Sequence, residues 1–140
     1  MKPSGFNVVY ILMIVIAGAA LYMPFLSYPF VWDDVIIIQE NPYIGSNLKM
    51  RPKDFMVSRD YFNKSKEGTY RPVATVLYYL VGLVSGKNPD GYRLANIILN
   101  IAAGILVMIV GLRFWGYVSP LAGLIGGILF VMHPIHSETI

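Results

Sequence analysis

Long uncharged stretches alternate with polar segments along the chain. Residues 3–32 carry no charged side chain, and two further uncharged stretches cover residues 94–112 and 114–132. A helix needs about 20 mainly apolar residues to cross the hydrocarbon core of a bilayer. The pattern therefore predicts membrane-spanning helices at about 7–28, 93–112 and 115–132.

A fourth apolar stretch, "PVATVLYYLVGLVSG" at residues 72–86, is shorter than the roughly 17 residues of the shortest spanning helices. We interpret it as an interfacial or re-entrant helix. The alternative is a fourth crossing, which would move every later residue to the opposite side of the membrane. With three crossings, the segment after the first span lies on the same side as the final "HPIHSETI".

The second and third predicted spans are separated only by "RFWGY" and Ser119-Pro120, which predicts a helical hairpin with its turn at the membrane interface. Asn96 and Asn100 lie four residues apart in the second span, on one face of a helix. We expect them to hydrogen-bond to neighbouring helices, because uncharged polar side chains in membrane spans commonly do so.

The first apolar stretch has a second interpretation. Lys2, the apolar residues and "AGAA" at residues 17–20 are also typical of a secretory signal with a cleavage site of small residues. Apolar residues continue beyond this site, however, through Leu21, Met23 and Phe25. This continuation favours an uncleaved membrane anchor.

Composition agrees with a membrane protein. Hydrophobic residues make up 56% of the chain and charged residues 14%, outside the usual range of a soluble domain, so the predicted fold class is all-α integral membrane. The net charge of +3 does not indicate a nucleic-acid partner. The chain has no cysteine, which excludes disulfides and cysteine-ligated metal sites within it.

A polar segment follows the first predicted span. The motif "NPYIGSN" predicts a turn, and "RPKDFMVSRDYF" places Phe55 and Phe62 on one face of a short helix. Such a helix would lie on the membrane surface. A solvated loop with incidental aromatic residues is the alternative.

Two adjacent carboxylates, Asp33 and Asp34, lie in "FVWDDVIII" at the end of the first predicted span. Neighbouring ionised groups repel each other, and a low-dielectric boundary strengthens that repulsion. One interpretation is a solvated acidic cap on the membrane helix. The other is a functional pair, because carboxylates serve as general bases.

Four motifs in order, "FVWDDVIII" with "NPYI", "TYRPVATVLYYL", "NPDGYRLANIILN" and "LFVMHPIHSETI", resemble the N-terminal membrane portion of the transmembrane, tetratricopeptide-repeat-containing O-mannosyltransferases. That family belongs to the GT-C glycosyltransferases, which use sugar donors linked to polyprenyl phosphate. The resemblance covers residues 30–140. It implies GT-C-like N-terminal helices, with an extracytoplasmic loop at about 29–92 that carries juxtamembrane helices.

The resemblance also implies roles for particular residues. Asp33 and Asp34 correspond to the catalytic acidic pair, with Asp33 favoured as the general base. Tyr70 and Arg71 fall where related enzymes contact the donor, so Arg71 is expected to bind the lipid phosphate; the alternative for Arg71 is a side chain that extends to the headgroups.

The C-terminal motif supplies a second set of expected substrate-binding residues, His133, His136 and Glu138. The resemblance implies that they face the same cavity as the acidic pair. The resemblance names no particular cofactor. A divalent metal ion held by these three residues is an alternative to substrate contact or helix capping.

The resemblance implies transfer of a sugar, mannose in the named family, to a Ser or Thr hydroxyl of a protein acceptor. The protein would be a multi-pass protein of the bacterial inner membrane or endoplasmic reticulum, with its active side extracytoplasmic. Nine of the eleven Lys and Arg residues lie at positions 49–93, which alone would favour a cytoplasmic location for that segment. We follow the resemblance, because charge counts predict the sidedness of long segments poorly.

The family has more membrane helices and a tetratricopeptide array, and these 140 residues contain neither. We therefore expect residues 1–140 to be an N-terminal fragment that is inactive alone. A noncatalytic membrane scaffold and a fragment of a transporter are the alternative functions. A transport path through the membrane is not supported, because the predicted spans contain no charged residue beyond Arg93 at the end of one of them.

Overall fold

A computed structural model describes residues 8–45, 71–115 and 119–135. In these residues the regular structure is helical, and no strand occurs. The α-helices are α1 (Val8–Tyr22), α2 (Pro72–Ser85), α3 (Pro89–Trp115) and α4 (Pro120–Met132). The predicted surface helix with Phe55 and Phe62 lies outside the described residues, as does Lys2 of the alternative secretory signal.

Proline ends the first helix. Pro24 has no backbone N–H and cannot continue the α-helical hydrogen-bond pattern. The chain therefore leaves α1 at Tyr22 and forms a 3₁₀-helical turn, Met23–Phe25. A short π-helix, Val35–Gln39, follows in the segment that carries the two carboxylates. We call residues 30–45 the acidic segment.

Within the described ranges, two helical stretches are long and apolar enough to cross a membrane, Val8–Phe25 and Pro89–Phe114. Helices α2 and α4 are apolar but shorter. Many large apolar side chains of α1 and α3 are exposed, among them Val8, Ile16 and Leu106. Apolar surfaces of this kind suit contact with lipid rather than water. The predicted all-α membrane fold is therefore confirmed.

The described chain divides into two compact units, and the first contains α1, most of α3 and α4 (Met1–Leu26 and Arg93–Ile140). Helix α1 packs against α4. The buried core of this unit consists of Ile14, Tyr22, Ile97, Met108, Leu124 and Val131.

Helices α3 and α4 form the helical hairpin predicted from the short connection between them. Their backbones approach closely at glycine pairs: a Cβ atom on Gly111 would lie 2.8 Å from the Cα of Gly123. A Cβ atom on Gly127 would lie 2.8 Å from the carbonyl oxygen of Gly104. Small residues permit such close packing of helices in membranes.

Polar side chains satisfy the end of α4. The carbonyl oxygen of Val131 accepts hydrogen bonds from the Tyr22 hydroxyl (2.9 Å) and from Nδ2 of Asn100 (3.3 Å). The last carbonyl groups of a helix lack partners within the helix, and leaving them unsatisfied in a bilayer is costly. The predicted role of Asn100 in hydrogen bonding between helices is confirmed.

The second unit, Ser27–Tyr92, contains the acidic segment, α2 and the first turn of α3. Its buried core consists of Ile38, Ile44 and Tyr92. Phe30, Ile37, Tyr78 and Val81 pack around these three residues. The acidic segment therefore has a hydrophobic core of its own, shared with α2.

Candidate active site

The two carboxylates open the short helix that follows the 3₁₀ turn and continues into the π-helix. The N–H of Asp34 donates to the Val31 carbonyl oxygen (3.2 Å), and that of Val35 donates to the Trp32 carbonyl oxygen (3.2 Å). The Asp33 side chain is exposed, and Asp34 is half-buried. An exposed carboxylate beside a membrane helix is accessible to a substrate that approaches from outside the bilayer.

Trp32, directly before the pair, has an unusual backbone. Its φ is +52°, the left-handed region that non-glycine residues rarely adopt, and its side chain is 91% exposed. Such a conformation costs on the order of 1–3 kcal/mol and persists only where the surroundings impose it. The backbone that enters the acidic pair is therefore held in a strained conformation.

The other end of the acidic segment forms the turn predicted from "NPYIGSN". Asn41 is fully buried, and its Oδ1 accepts a hydrogen bond from the Tyr43 N–H (3.0 Å). Asparagine commonly makes this bond to the backbone two residues on, which stabilises a turn. Ile38 and Ile44, on either side, are buried in the core. These contacts fix the end of the segment opposite the carboxylates.

Lys87, in the turn between α2 and α3, contacts the same end. Its Nζ donates to the Gln39 carbonyl oxygen (2.7 Å) and to the Asn41 carbonyl oxygen (3.0 Å). Both acceptors lie at or just after the C-terminal end of the short π-helix. A cation is favourable there, because the carbonyl groups at a helix end carry partial negative charge.

Tyr92 supports the beginning of the acidic segment. Its ring packs edge-on against Phe30, with centroids 5.7 Å apart, and lies 6.2 Å from the Tyr78 ring. Its hydroxyl donates to the Gly86 carbonyl oxygen (2.7 Å). One buried side chain on α3 thus joins the acidic segment, α2 and the turn that follows α2.

Arg71 is the N-cap residue of α2, directly before Pro72. Its carbonyl oxygen accepts from the N–H (3.0 Å) and Oγ1 (2.9 Å) of Thr75, and its side chain is exposed. Proline suits the first helical position because its missing N–H would have no partner there. Arg71, Asp33 and Asp34 belong to one compact unit.

The predicted C-terminal residues are described only in part. His133 follows α4, is exposed, and accepts a hydrogen bond at Nδ1 from the Ile135 N–H (3.2 Å). It belongs to the first unit, whereas the carboxylates belong to the second. Tyr70, His136 and Glu138 lie outside the described residues, so their roles stay predictions.

A metal site remains a prediction as well. No group of three His, Asp or Glu side chains that could hold a metal ion occurs within residues 8–45, 71–115 and 119–135. Two of the three residues considered for a metal, His136 and Glu138, lie beyond those ranges. Imidazole and carboxylate groups would suit zinc or another transition metal.

Lys87 and Tyr92, which hold the acidic segment in place, were not among the predicted site residues. The only signal for Lys87 was a single charge after Gly86, between two apolar helices. Tyr92 lies in "NPDGYRLAN", at the polar start of an apolar helix. Neither pattern shows that the side chain bonds or packs against residues much earlier in the chain.

Comparison with known proteins gives the relationship of the whole chain. It is 28% identical over 133 residues, 88% of the chain, to the human protein O-mannosyl-transferase TMTC2. It is 30% identical over 125 residues, 86% of the chain, to Drosophila melanogaster protein O-mannosyl-transferase Tmtc1. It is 31% identical over 129 residues, 79% of the chain, to mouse protein O-mannosyl-transferase TMTC4. The chain is a TMTC-like membrane protein.

The resemblance deduced from the four motifs is thus confirmed. The TMTC-like chain spans 15%, 14% and 17% of the lengths of these three relatives. No family model matches the chain, and no solved structure matches it significantly. The activity of the whole protein, its substrates and its site residues are therefore proposals.

Proposed function

We propose that this chain is part of a multi-pass GT-C-type glycosyltransferase that transfers mannose to Ser or Thr hydroxyl groups of proteins. The donor is a sugar linked to polyprenyl phosphate, and transfer takes place at the extracytoplasmic face of the membrane. The observation that carries the proposal is the similarity, over 88% of the chain, to a protein named as an O-mannosyl-transferase.

The position of the acidic pair supports a catalytic role. Asp33 and Asp34 follow α1, a helix long enough to span the bilayer together with its 3₁₀ turn, and therefore lie near a membrane surface. A lipid-linked donor presents its sugar at that level. In this proposal, the acidic pair lies where a membrane-bound donor and a water-soluble acceptor meet.

In the proposed reaction, the acceptor hydroxyl oxygen forms a bond with the anomeric carbon of the sugar. The bond from that carbon to the phosphate oxygen breaks, and the phosphate leaves with the electron pair. Asp33 accepts the hydroxyl proton, and Asp34 orients the acceptor or a neighbouring donor group. A base at this position accelerates the reaction because the hydroxyl is a weak nucleophile while it keeps its proton.

The remaining predicted residues have binding roles in this proposal. Arg71 binds the donor phosphate through charge-assisted hydrogen bonds, and its exposed guanidinium is available for them. Tyr70 contacts the donor beside it. His133, His136 and Glu138 contact substrate.

Isosteric substitutions in the intact protein test the catalytic roles. We expect Asp33→Asn to lower transfer of mannose from a polyprenyl-phosphate donor to a Ser/Thr peptide by roughly 10² to 10⁴, with little change in donor binding. Asp34→Asn should lower it less. The measurement is the initial rate of transfer at saturating donor, with donor binding measured separately.

Glu40→Gln is the matched control, because Glu40 is an exposed carboxylate in the same segment with no proposed catalytic role. It should retain normal transfer. Normal transfer by a protein with both Asp33→Asn and Asp34→Asn would exclude the catalytic role. A solvated acidic cap on the membrane helix predicts that outcome, because a surface change of this kind shifts stability by only about 0.5 kcal/mol. A noncatalytic scaffold or transporter fragment predicts no mannose transfer even by the unsubstituted protein.

A further inference from the structure

The turn between α2 and α3 fastens the acidic segment at the end opposite the carboxylates. Lys87 Nζ lies 2.7 Å from the Gln39 carbonyl oxygen and 3.0 Å from the Asn41 carbonyl oxygen. The last carbonyl groups of a short helix have no helical partners. An ammonium group has three N–H donors, so it satisfies two carbonyl groups at once. Lys87 therefore bonds to two residues that lie 48 and 46 positions earlier in the sequence.

The end of the acidic segment packs closely against the turn that carries Lys87. Gly45 and Gly86 both have positive φ, +65° and +60°. A Cβ atom on Gly45 would lie 3.0 Å from the Gly86 carbonyl carbon and 3.1 Å from Lys87 Cγ. The stem of Lys87 therefore lies directly on the end of the acidic segment, and the two turns fit against each other.

A short path connects this contact to the carboxylates. Asp33 begins the helical turn that continues into the π-helix, which ends at Gln39. Ile38, on the same helix, is buried in the core of the unit with only 1% exposure. A short helix held at one end by Lys87 and on one face by the core has a fixed direction. Movement of Gln39 would therefore move the carboxylates.

We propose that Lys87 is a positioning residue for the Asp33–Asp34 pair. It acts through the backbone of the acidic segment and does not contact substrate. The inference rests on the proposed function for its effect on transfer, but not for its effect on the position of the segment. A misplacement of about 1 Å in a catalytic group can lower a rate by about 10².

A spin label measures the position of the segment without any reaction. Ile36 lies on the π-helix beside the carboxylates and is 42% exposed, and the chain has no cysteine, so Ile36→Cys gives one label site within it. In the intact protein in nanodiscs, we expect Lys87→Met to add a more mobile component to the label's spectrum. Lys87→Arg, which keeps the charge and the donors, should resemble the unsubstituted protein.

Arg113→Met is the matched control, because Arg113 is an exposed cation at the far end of α3, in the other unit. It should leave the spectrum unchanged. An unchanged spectrum in Lys87→Met, or equal mobilisation in Arg113→Met, would overturn the proposal. If Lys87→Met does not fold, Lys87→Gln, which keeps a neutral donor, takes its place. It should also add a more mobile component to the label's spectrum.

Kinetics on the intact protein give the second measurement. With polyprenyl-phosphate mannose and a Ser/Thr peptide, Lys87→Met should lower kcat by roughly 10- to 100-fold with KM for the donor nearly unchanged. Lys87→Arg should retain most of the kcat of the unsubstituted protein. Unchanged kcat, or a change confined to KM, would overturn the positioning role. If the unsubstituted protein transfers no mannose, the proposed function fails, and the label comparison alone decides whether Lys87 holds the segment.

Discussion

Asp33 and Asp34 are adjacent in sequence but differ in their surroundings. Asp33 is exposed, whereas Asp34 is half-buried and has further interactions within the chain. A general base must come within about 2.6–3.2 Å of the hydroxyl that it deprotonates. An exposed carboxylate is accessible to an acceptor hydroxyl. The difference supports the proposed division of roles, with Asp33 as the base and Asp34 as the orienting group.

Arg71 allows a test of phosphate binding at the residue scale. A planar guanidinium binds a phosphate through two parallel hydrogen bonds, which the single ammonium of lysine cannot reproduce. We therefore expect Arg71→Lys in the intact protein to weaken donor binding although it keeps the charge, and Arg71→Ala to weaken it further. The measurement is the Kd or KM for a polyprenyl-phosphate sugar.

Arg93→Lys serves as the control, because Arg93 is another cation near the start of an apolar helix, without a proposed donor contact. It should bind donor normally. If Arg71→Lys and Arg71→Ala both bind donor as well as the unsubstituted protein, the side chain serves only to reach the headgroups, as long cationic side chains at helix ends often do.

The position of the carboxylates could be predicted from sequence, but the groups that hold them could not. An uncharged stretch ended by Asp33 is a local pattern, and it predicts an acidic group in the segment that follows a membrane helix. The left-handed backbone of Trp32 and the two carbonyl contacts of Lys87 depend on the fold of the whole unit. Local periodicity carries no information about contacts between such distant residues.

At the element scale, the start of α3 shows how capping sets a helix boundary. The uncharged stretch begins at residue 94, but α3 begins at Pro89. The side chain of Asn88 accepts a hydrogen bond from the Asp90 N–H (3.2 Å), Pro89 occupies the first helical position, and Asp90 lies in the first turn. All three residues favour a helix start. Charge counting misses this turn because it contains Asp90 and Arg93, although "NPD" is itself a start signal.

The hairpin of α3 and α4 depends on which face of α4 each glycine occupies. Gly127 lies against α3, where a Cβ atom would lie 2.8 Å from the Gly104 carbonyl oxygen and 2.7 Å from Ile14 Cδ1. Gly126 lines an open apolar groove of about 340 Å³, and a Cβ atom there would meet only Val107, at 3.8 Å. Adjacent glycines therefore differ sharply in their tolerance of a side chain.

We expect Gly127→Ala to destabilise the protein by about 1–3 kcal/mol, because the backbone of α3 cannot move away without repacking the hairpin. Gly126→Ala should be neutral or slightly stabilising, by up to about 1 kcal/mol, because alanine favours a helix more than glycine does. Unfolding of the two variants in detergent, compared at the same concentration, measures the difference. Equal stability of the two would contradict the packing of α4 on α3.

At the scale of the whole molecule, helix length alone does not decide which helices cross the membrane. Helix α2 has 14 residues and α4 has 13, so both are shorter than α1 with its 3₁₀ turn and than α3. Their packing differs. Helix α4 shares a core with α1 and α3. It contacts α3 from Gly111 back to Asn100, and this part of α3 is roughly 17 Å long at about 1.5 Å per residue. Helix α2 instead packs with the acidic segment. This difference supports a crossing by α4 and none by α2.

Single cysteines test this topology, because the chain contains none of its own. If α2 does not cross and α3 and α4 do, Ile36→Cys, Asn88→Cys and Ile135→Cys should all react with a membrane-impermeant maleimide from the same face. Arg113→Cys, at the other end of α3, should react only from the opposite face and serves as the matched control. The measurement is labelling of sealed membranes of known orientation, before and after permeabilisation.

Each alternative topology gives a different labelling pattern. If α2 crosses, Asn88 and Ile36 are labelled from opposite faces. If α4 does not cross, cysteines at positions 135 and 113 are labelled from the same face. Either pattern would separate His133 from the carboxylates by the thickness of the bilayer, and the two could then not serve one catalytic cavity. Labelling of Ile36, Asn88 and Ile135 from the extracytoplasmic face would instead place the acidic segment and the end of α4 on the side where the proposed transfer occurs.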